Sequence, residues 1–361
     1  MKKLLLLTAV VASLLCACHK DDDKGSTSAP VPDSKAQHSN IMVVFAPGQL
    51  GDQGYADRVM LGANSIYNSS GTADSPDVEF ISTYDSESTR ELLKGWVSNR
   101  NSLISGEPYG RRLLILTELY MAPWLMPLKD SLGPNDELLL LKSNAKDVAQ
   151  ASEALGMEGR VHGLNISAAG AIKLYCKLFM QFTDENKSDE HQRIGIIRLY
   201  NDSITPYRDS IAETVKAITS KDLRSEVSVM QDMGLYAPED MMSASERIYD
   251  FCTISRETFK VLGYHGVFLM MDFGASNSAA DFYLLKHNGD NFQRALILDA
   301  EPQKDLHRYA ITRHFDRALS EWITEWLHNP SGQMPSITTH GEWDGYCTND
   351  IDSNTFLQTN E

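Results

Sequence analysis

Ile41-Met42-Val43-Val44-Phe45-Ala46-Pro47-Gly48-Gln49-Leu50-Gly51-Asp52-Gln53-Gly54-Tyr55-Ala56-Asp57 is the stretch on which the fold turns. Six apolar residues in a row suit a strand buried on both faces of a sheet. A glycine-punctuated turn follows, carrying an acid, and from Tyr55 the pattern becomes that of an amphipathic helix. Outward from this unit the chain keeps alternating short apolar runs with longer amphipathic ones. That alternation implies βαβ units and a mainly parallel sheet, hence an α/β fold.

Strands are predicted at 41–46, 78–84, 112–117, 137–142 and 161–164, with helices near 55–68, 88–102 and 121–132. A second series follows, with helices at 168–182, 206–220, 238–261 and 276–287. Its strands fall at 193–200, 226–230, 266–271 and 294–299. The helix predicted at 315–328 places Leu319, Trp322, Ile323 and Trp326 three and four apart on one face. From about residue 40 the body holds roughly 320 residues, more than one core usually serves, so two Rossmann-like lobes are expected. The first spans 40–166, with 314–335 returning to it, and the second spans 167–313. Residues 336–361 read as a Ser/Thr/Gly/Asn-rich tail in which Trp343 and Tyr346 are the anchors.

The N-terminus has its own grammar. Lys2 and Lys3 precede an apolar run from Leu4 to Leu15, and Leu15-Cys16-Ala17-Cys18 follows. The run is shorter than the roughly 20 residues that cross a bilayer as a helix. Residues 1–17 therefore read as a cleaved signal peptide. The tetrapeptide resembles a bacterial lipobox, which makes Cys18 the lipidated first residue of the mature chain and residues 18–39 an anchor and linker. Lys20-Asp21-Asp22-Asp23 is similar to the signal that sends some lipoproteins to the outer face of the outer membrane, or is a solvated acidic linker; both readings stay open. The expected location is the bacterial envelope, lipid-anchored at the outer membrane.

The formal charge is −16, and losing Lys2 and Lys3 takes it to −18, which argues against nucleic acid or an anionic lipid surface as a partner. Cys176, Cys252 and Cys347 remain after processing, an odd set with no Cys-x-x-Cys pair. Cys176 reads as a buried small hydrophobe, and a Cys252–Cys347 disulfide is open. No metal site is expected, because no His/Cys cluster supports one. Phosphate-binding glycine loops, a Gly-x-Ser-x-Gly elbow and His-Glu-x-x-His are all missing, so neither an enzyme nor a bound cofactor is expected.

The opening stretch resembles the start of the basic membrane protein family of solute-binding lipoproteins. Further blocks run in that family's order: Asn165-Ile166-Ser167-Ala168-Ala169-Gly170-Ala171, Arg193-Ile194-Gly195-Ile196-Ile197 and Met271-Asp272-Phe273-Gly274-Ala275. Leu298-Asp299-Ala300-Glu301-Pro302-Gln303 and Ile311-Thr312-Arg313-His314-Phe315-Asp316-Arg317-Ala318 complete the series. The resemblance implies a periplasmic-binding-protein type I fold, a purine nucleoside as the small-molecule ligand and an ABC-type permease as partner. The chain departs from the family pattern at Ala56, where an Asn is usual, and at Arg313, where the family has Lys.

In open α/β sheets ligands sit beyond the C-terminal ends of the strands. That rule selects Asp52, Tyr55, Asp85, Glu118, Tyr120, Asn201, Asp202, Asp272, Phe273 and Asp299. Tyr55 and Phe273 are the candidate stacking pair. Asp299 would accept from sugar hydroxyls, and the resemblance makes Arg313 a ligand donor. Each has a structural alternative. Asp52, Asp85 and Asp202 suit helix N-caps, and Tyr55 and Phe273 suit the core. Asp299 and Arg313 suit an ion pair with each other or with Asp316. The binding reading has a rival of another class, a surface sensor or adhesion lipoprotein that keeps the fold without transport.

Overall fold

A computed structural model describes residues 38–47, 49–51, 54–70, 76–102, 106–168, 193–199, 226–232, 249–250, 253–254, 256–258, 260–261, 266–271, 286, 293–299, 308–329 and 334–349. These lie in one compact unit, Gln37–Glu361. The anchor region with Cys18, the helices predicted at 168–182 and 206–220, and Cys176 and Cys252 fall outside the described residues.

The chain opens with β1 (Ser39–Val44), α1 (Tyr55–Ser70), β2 (Asp77–Ile81), α2 (Ser86–Ser98) and β3 (Arg111–Leu116). A 3-10 helix (Leu119–Ser131), β4 (Asp136–Leu141), α3 (Ala145–Leu155) and β5 (Val161–Ile166) follow. These strands form a parallel sheet in the order β2-β1-β3-β4-β5. Alternation along each strand then divides the apolar residues between two faces. Ile41, Val43, Leu113, Ile115, Leu139 and Leu141 pack against α1, while Met42, Val44, Leu114, Leu116, Leu138 and Leu140 pack towards α2 and the 3-10 helix.

The second sheet holds β6 (Arg193–Leu199), β7 (Glu226–Asp232), β8 (Gly266–Met271), β9 (Gln293–Leu298) and β10 (Arg308–Arg313). They are parallel and ordered β7-β6-β8-β9-β10, the same winding as the first sheet. The chain then returns. α4 (Phe315–His328) buries Phe315, Leu319, Trp322, Ile323 and Trp326 in the α1 face of the first sheet. β11 (Ile337–His340) pairs in parallel with β5. A helical turn over Glu342–Tyr346 leads to β12 (Cys347–Asn349), which joins the second sheet antiparallel to β10.

Several local expectations are corrected. The helix predicted at 121–132 is 3-10, because Pro123 and Pro127 each remove a backbone donor that an α-helix needs. The strand predicted at 78–84 stops at Ile81, and α2 starts early because Asp85 caps it. α3, absent from the sequence reading, has an Asn144/Asp147 capping box and ends on Gly156 in the left-handed region. The tail is not anchored by Trp343 and Tyr346 alone, since 337–340 and 347–349 are strands of the two sheets. The Cys347 thiol donates to the Ser167 carbonyl at 3.4 Å.

Candidate functional site

The order β2-β1-β3 makes the gap between β1 and β3 the point where the winding reverses, and the C-terminal strand ends open there. The residues that follow these strands form a polar cluster. After β1, the Ala46 amide donates to Thr117 Oγ1 and to Gln49 Oε1, both at 3.3 Å, and Thr117 Oγ1 donates to Gln49 Oε1 at 3.1 Å. Gln49 Nε2 donates to Glu118 Oε1 at 2.7 Å. From the end of β4, Lys142 Nζ donates to the same carboxylate oxygen at 3.1 Å.

Tyr55, the first residue of α1, lies against this cluster. Its hydroxyl donates to the Thr117 carbonyl at 2.9 Å, and the Lys142 ammonium sits 3.7 Å from its ring centroid. Tyr55 is 3 % exposed and Lys142 5 %. Phe315 meets the Tyr55 ring edge-on at 4.9 Å between centroids.

Asp299 and Arg313 occupy the matching ends of β9 and β10, at 1 % and 0 % exposure. Arg313 Nε donates to both carboxylate oxygens at 3.0 and 3.1 Å, Nη2 donates to Oδ2 at 2.5 Å, and the Arg313 amide donates to Oδ1 at 2.9 Å. Of the sequence alternatives for this pair, the structure shows the mutual ion pair. The Arg313 guanidinium also lies 5.5 Å from the Phe315 ring centroid. Phe315 therefore touches both clusters and makes Asp299, Arg313, Phe315, Tyr55, Lys142 and Glu118 one continuous chain of contacts.

Lys142 and Asp299 are equivalent by topology. Each is the first residue after the fourth strand of its sheet. Among the described residues they are the two non-glycine positions with positive φ, at 54° and 62°. That conformation is costly for a residue with a Cβ and persists where the surroundings impose it, which is commonest at binding sites.

The other candidates separate. Asp85 caps α2, accepting from the Ser88 amide at 2.7 Å and the Ser88 hydroxyl at 2.8 Å. Those bonds, the amide first, hold its carboxyl below the usual range. Tyr120 packs edge-on against Trp124 at 5.7 Å, in the core face beside α2. Asp52, Asp272, Phe273, Asn201 and Asp202 lie outside the described residues. Sequence reasoning passed over Gln49, Lys142 and Phe315. Lys142 was read as the last residue of the strand predicted at 137–142, but that strand stops at Leu141, which places Lys142 at its open end.

The fold is that of the periplasmic-binding-protein type I class, two parallel α/β sheets of common winding joined by several crossings. No protein-family model and no curated protein matches the chain. Among similar solved structures is a carbohydrate-transporter solute-binding protein from Agrobacterium radiobacter in complex with D-arabinose, at TM-score 0.59 and 12 % identity, covering 89 % of this chain and 96 % of that one. An ABC-transporter solute-binding protein from Burkholderia graminis, also with D-arabinose, gives 0.57 and 11 % identity over 89 % and 98 %. A 5-methylthioribose-transporter solute-binding protein from Thermotoga lettingae, with 5-methylthioribose, gives 0.54 and 10 % identity over 89 % and 88 %.

Proposed function

We propose that this chain is an exported, lipid-anchored solute-binding protein that captures a small hydroxyl-rich ligand, a pentose or a nucleoside, at the C-terminal edges of its two sheets. The observation that carries this reading is the cluster of Gln49, Thr117, Glu118 and Lys142 where the winding of the first sheet reverses, the position at which open α/β sheets take ligands. The ligands held by the three similar structures are five-carbon sugars, and a nucleoside carries another. This agrees with the resemblance to the basic membrane protein family. The protein would act by binding alone, without a cofactor, and deliver its ligand to an ABC-type permease.

The first test is a thermal-shift screen of the mature chain against D-arabinose, D-ribose, adenosine, guanosine and glycine. A true ligand at about 100 times its dissociation constant adds about 2.7 kcal/mol, several degrees of Tm. A shift with a sugar or nucleoside that Glu118→Gln abolishes supports the reading. No shift with any of them in a folded sample overturns it. A sensor or adhesion role is the second reading, and the Asp299–Arg313 pair favours it, because the carboxylate that would meet sugar hydroxyls already accepts four hydrogen bonds. For the anchor, palmitate labelling of the expressed chain should be lost in Cys18→Ser; retained label would refute lipidation at that residue.

A further inference from the structure

The surroundings of Lys142 are those of a bound ammonium ion. Its Nζ sits over the Tyr55 ring face, 3.7 Å from the centroid, and donates to Glu118 Oε1 at 3.1 Å. Gln49 Nε2 braces that oxygen at 2.7 Å, and the Tyr55 hydroxyl is tied to the Thr117 carbonyl at 2.9 Å, so both walls are fixed. An aromatic face set against a carboxylate, in a place largely closed to water, is the chemistry that recognises alkylammonium groups. The backbone of Lys142 accepts a left-handed conformation, φ 54°, in delivering its side chain there.

We propose that this corner of the first sheet is an ammonium cage, that Lys142 fills it as a tethered occupant in the resting protein, and that a primary amine is the chemical class it takes when Lys142 is withdrawn. Tethering gives the lysine a high effective concentration, so a free amine does not displace it from the intact protein. The consequence for ligand recognition is direct. The Tyr55 ring face is already taken by the protein's own cation, and a solute must meet that cation or displace it. The inference goes beyond the sugar or nucleoside reading and does not depend on it.

Lys142→Gly is the informative variant, because glycine adopts positive φ without steric cost and its loss of the side chain empties the cage. The mature chain and the variant are melted with n-butylammonium chloride, whose four-carbon stem and ammonium reproduce the lysine side chain. Sodium chloride and n-butanol are the controls. The expected result is a lower Tm for Lys142→Gly, at least half of which butylammonium restores, with no restoration by either control and no effect on the wild type. Equal restoration by butanol, no restoration, or an equal shift in the wild type overturns the proposal. Should Lys142→Gly not fold, Lys142→Met is compared in the wild-type and Glu118→Gln backgrounds. A Tm loss that shrinks in the Glu118→Gln background supports a held cation, and equal losses in both overturn it. Sugar binding is measured separately, so neither outcome decides the solute reading.

Discussion

Arg313 and Asp299 are a buried bidentate pair, and removing one takes from the other its bidentate counter-charge in a site closed to water. Arg313→Ala or Asp299→Ala is expected to cost about 3–5 kcal/mol in urea denaturation, while Asp299→Leu combined with Arg313→Met recovers most of that loss. A cost below about 1 kcal/mol for the single variants would mean that the pair is solvated. Glu137 gives a second expectation. Burial pushes its carboxyl up, but His162 and Arg111 donate to it and together hold it below the ordinary glutamate range. A carboxylate lowered in the folded state contributes stability above its unfolded value of about 4.3, and that contribution is lost as pH falls through the folded value. The urea midpoint should therefore fall more steeply with acid in the wild type than in Glu137→Gln, from about pH 5 downward. Asp299 and Tyr55 were legible in the sequence as strand-end residues, and Arg313 through the family resemblance alone. The Asp299–Arg313 pairing was among the alternatives open in the sequence, whereas the arrival of Phe315 beside Tyr55 depends on crossings that no local pattern encodes.

Helix α1 meets α4 at Gly62, where a Cβ would lie 2.5 Å from the Asp316 carbonyl oxygen and 2.9 Å from its Cα. Backbone cannot yield as a flexible side chain does, so Gly62→Ala is expected to destabilise by about 1–3 kcal/mol. Gly95, inside α2, has nothing within 4 Å of the same position, and Gly95→Ala should instead add about 0.5–1 kcal/mol. The two denaturation midpoints, moving in opposite directions, check the close approach. α4 was legible because its apolar residues recur three and four apart over a long run. α3 was not: Val148 and Leu155 are its buried apolar residues, so its signal lay in the Asn144/Asp147 cap rather than in periodicity. The 3-10 segment misled because Met121, Leu125 and Leu128 keep a helical spacing while Pro123 and Pro127 forbid the α-helical bonds.

At the scale of the molecule, the first sheet is built from two distant parts of the chain. Strands β1 to β5 end at Ile166, yet the core on the α1 face includes Phe315, Leu319, Trp322, Ile323, Trp326 and Met334. A fragment covering 38–168 should lack a cooperative melting transition, and joining it to 314–349 by a flexible linker should restore one; a cooperative transition in the fragment alone would show that the returning segment is dispensable. Two-part construction was legible from the strong helix at 315–328, whereas β11 and β12 were hidden in polar, short segments whose only cue is the neighbour each pairs with. The returning segment also sets a clock. At 5–20 residues per second of synthesis, about 170 residues must be made after Ile166 before Ile337 can reach its place, a delay of roughly 10–30 s. During that interval one face of the first sheet can close on α2 while the other, which awaits Phe315, Leu319, Trp322, Ile323 and Trp326, stays open to water, so the first half of the nascent chain waits half-covered for its own far end.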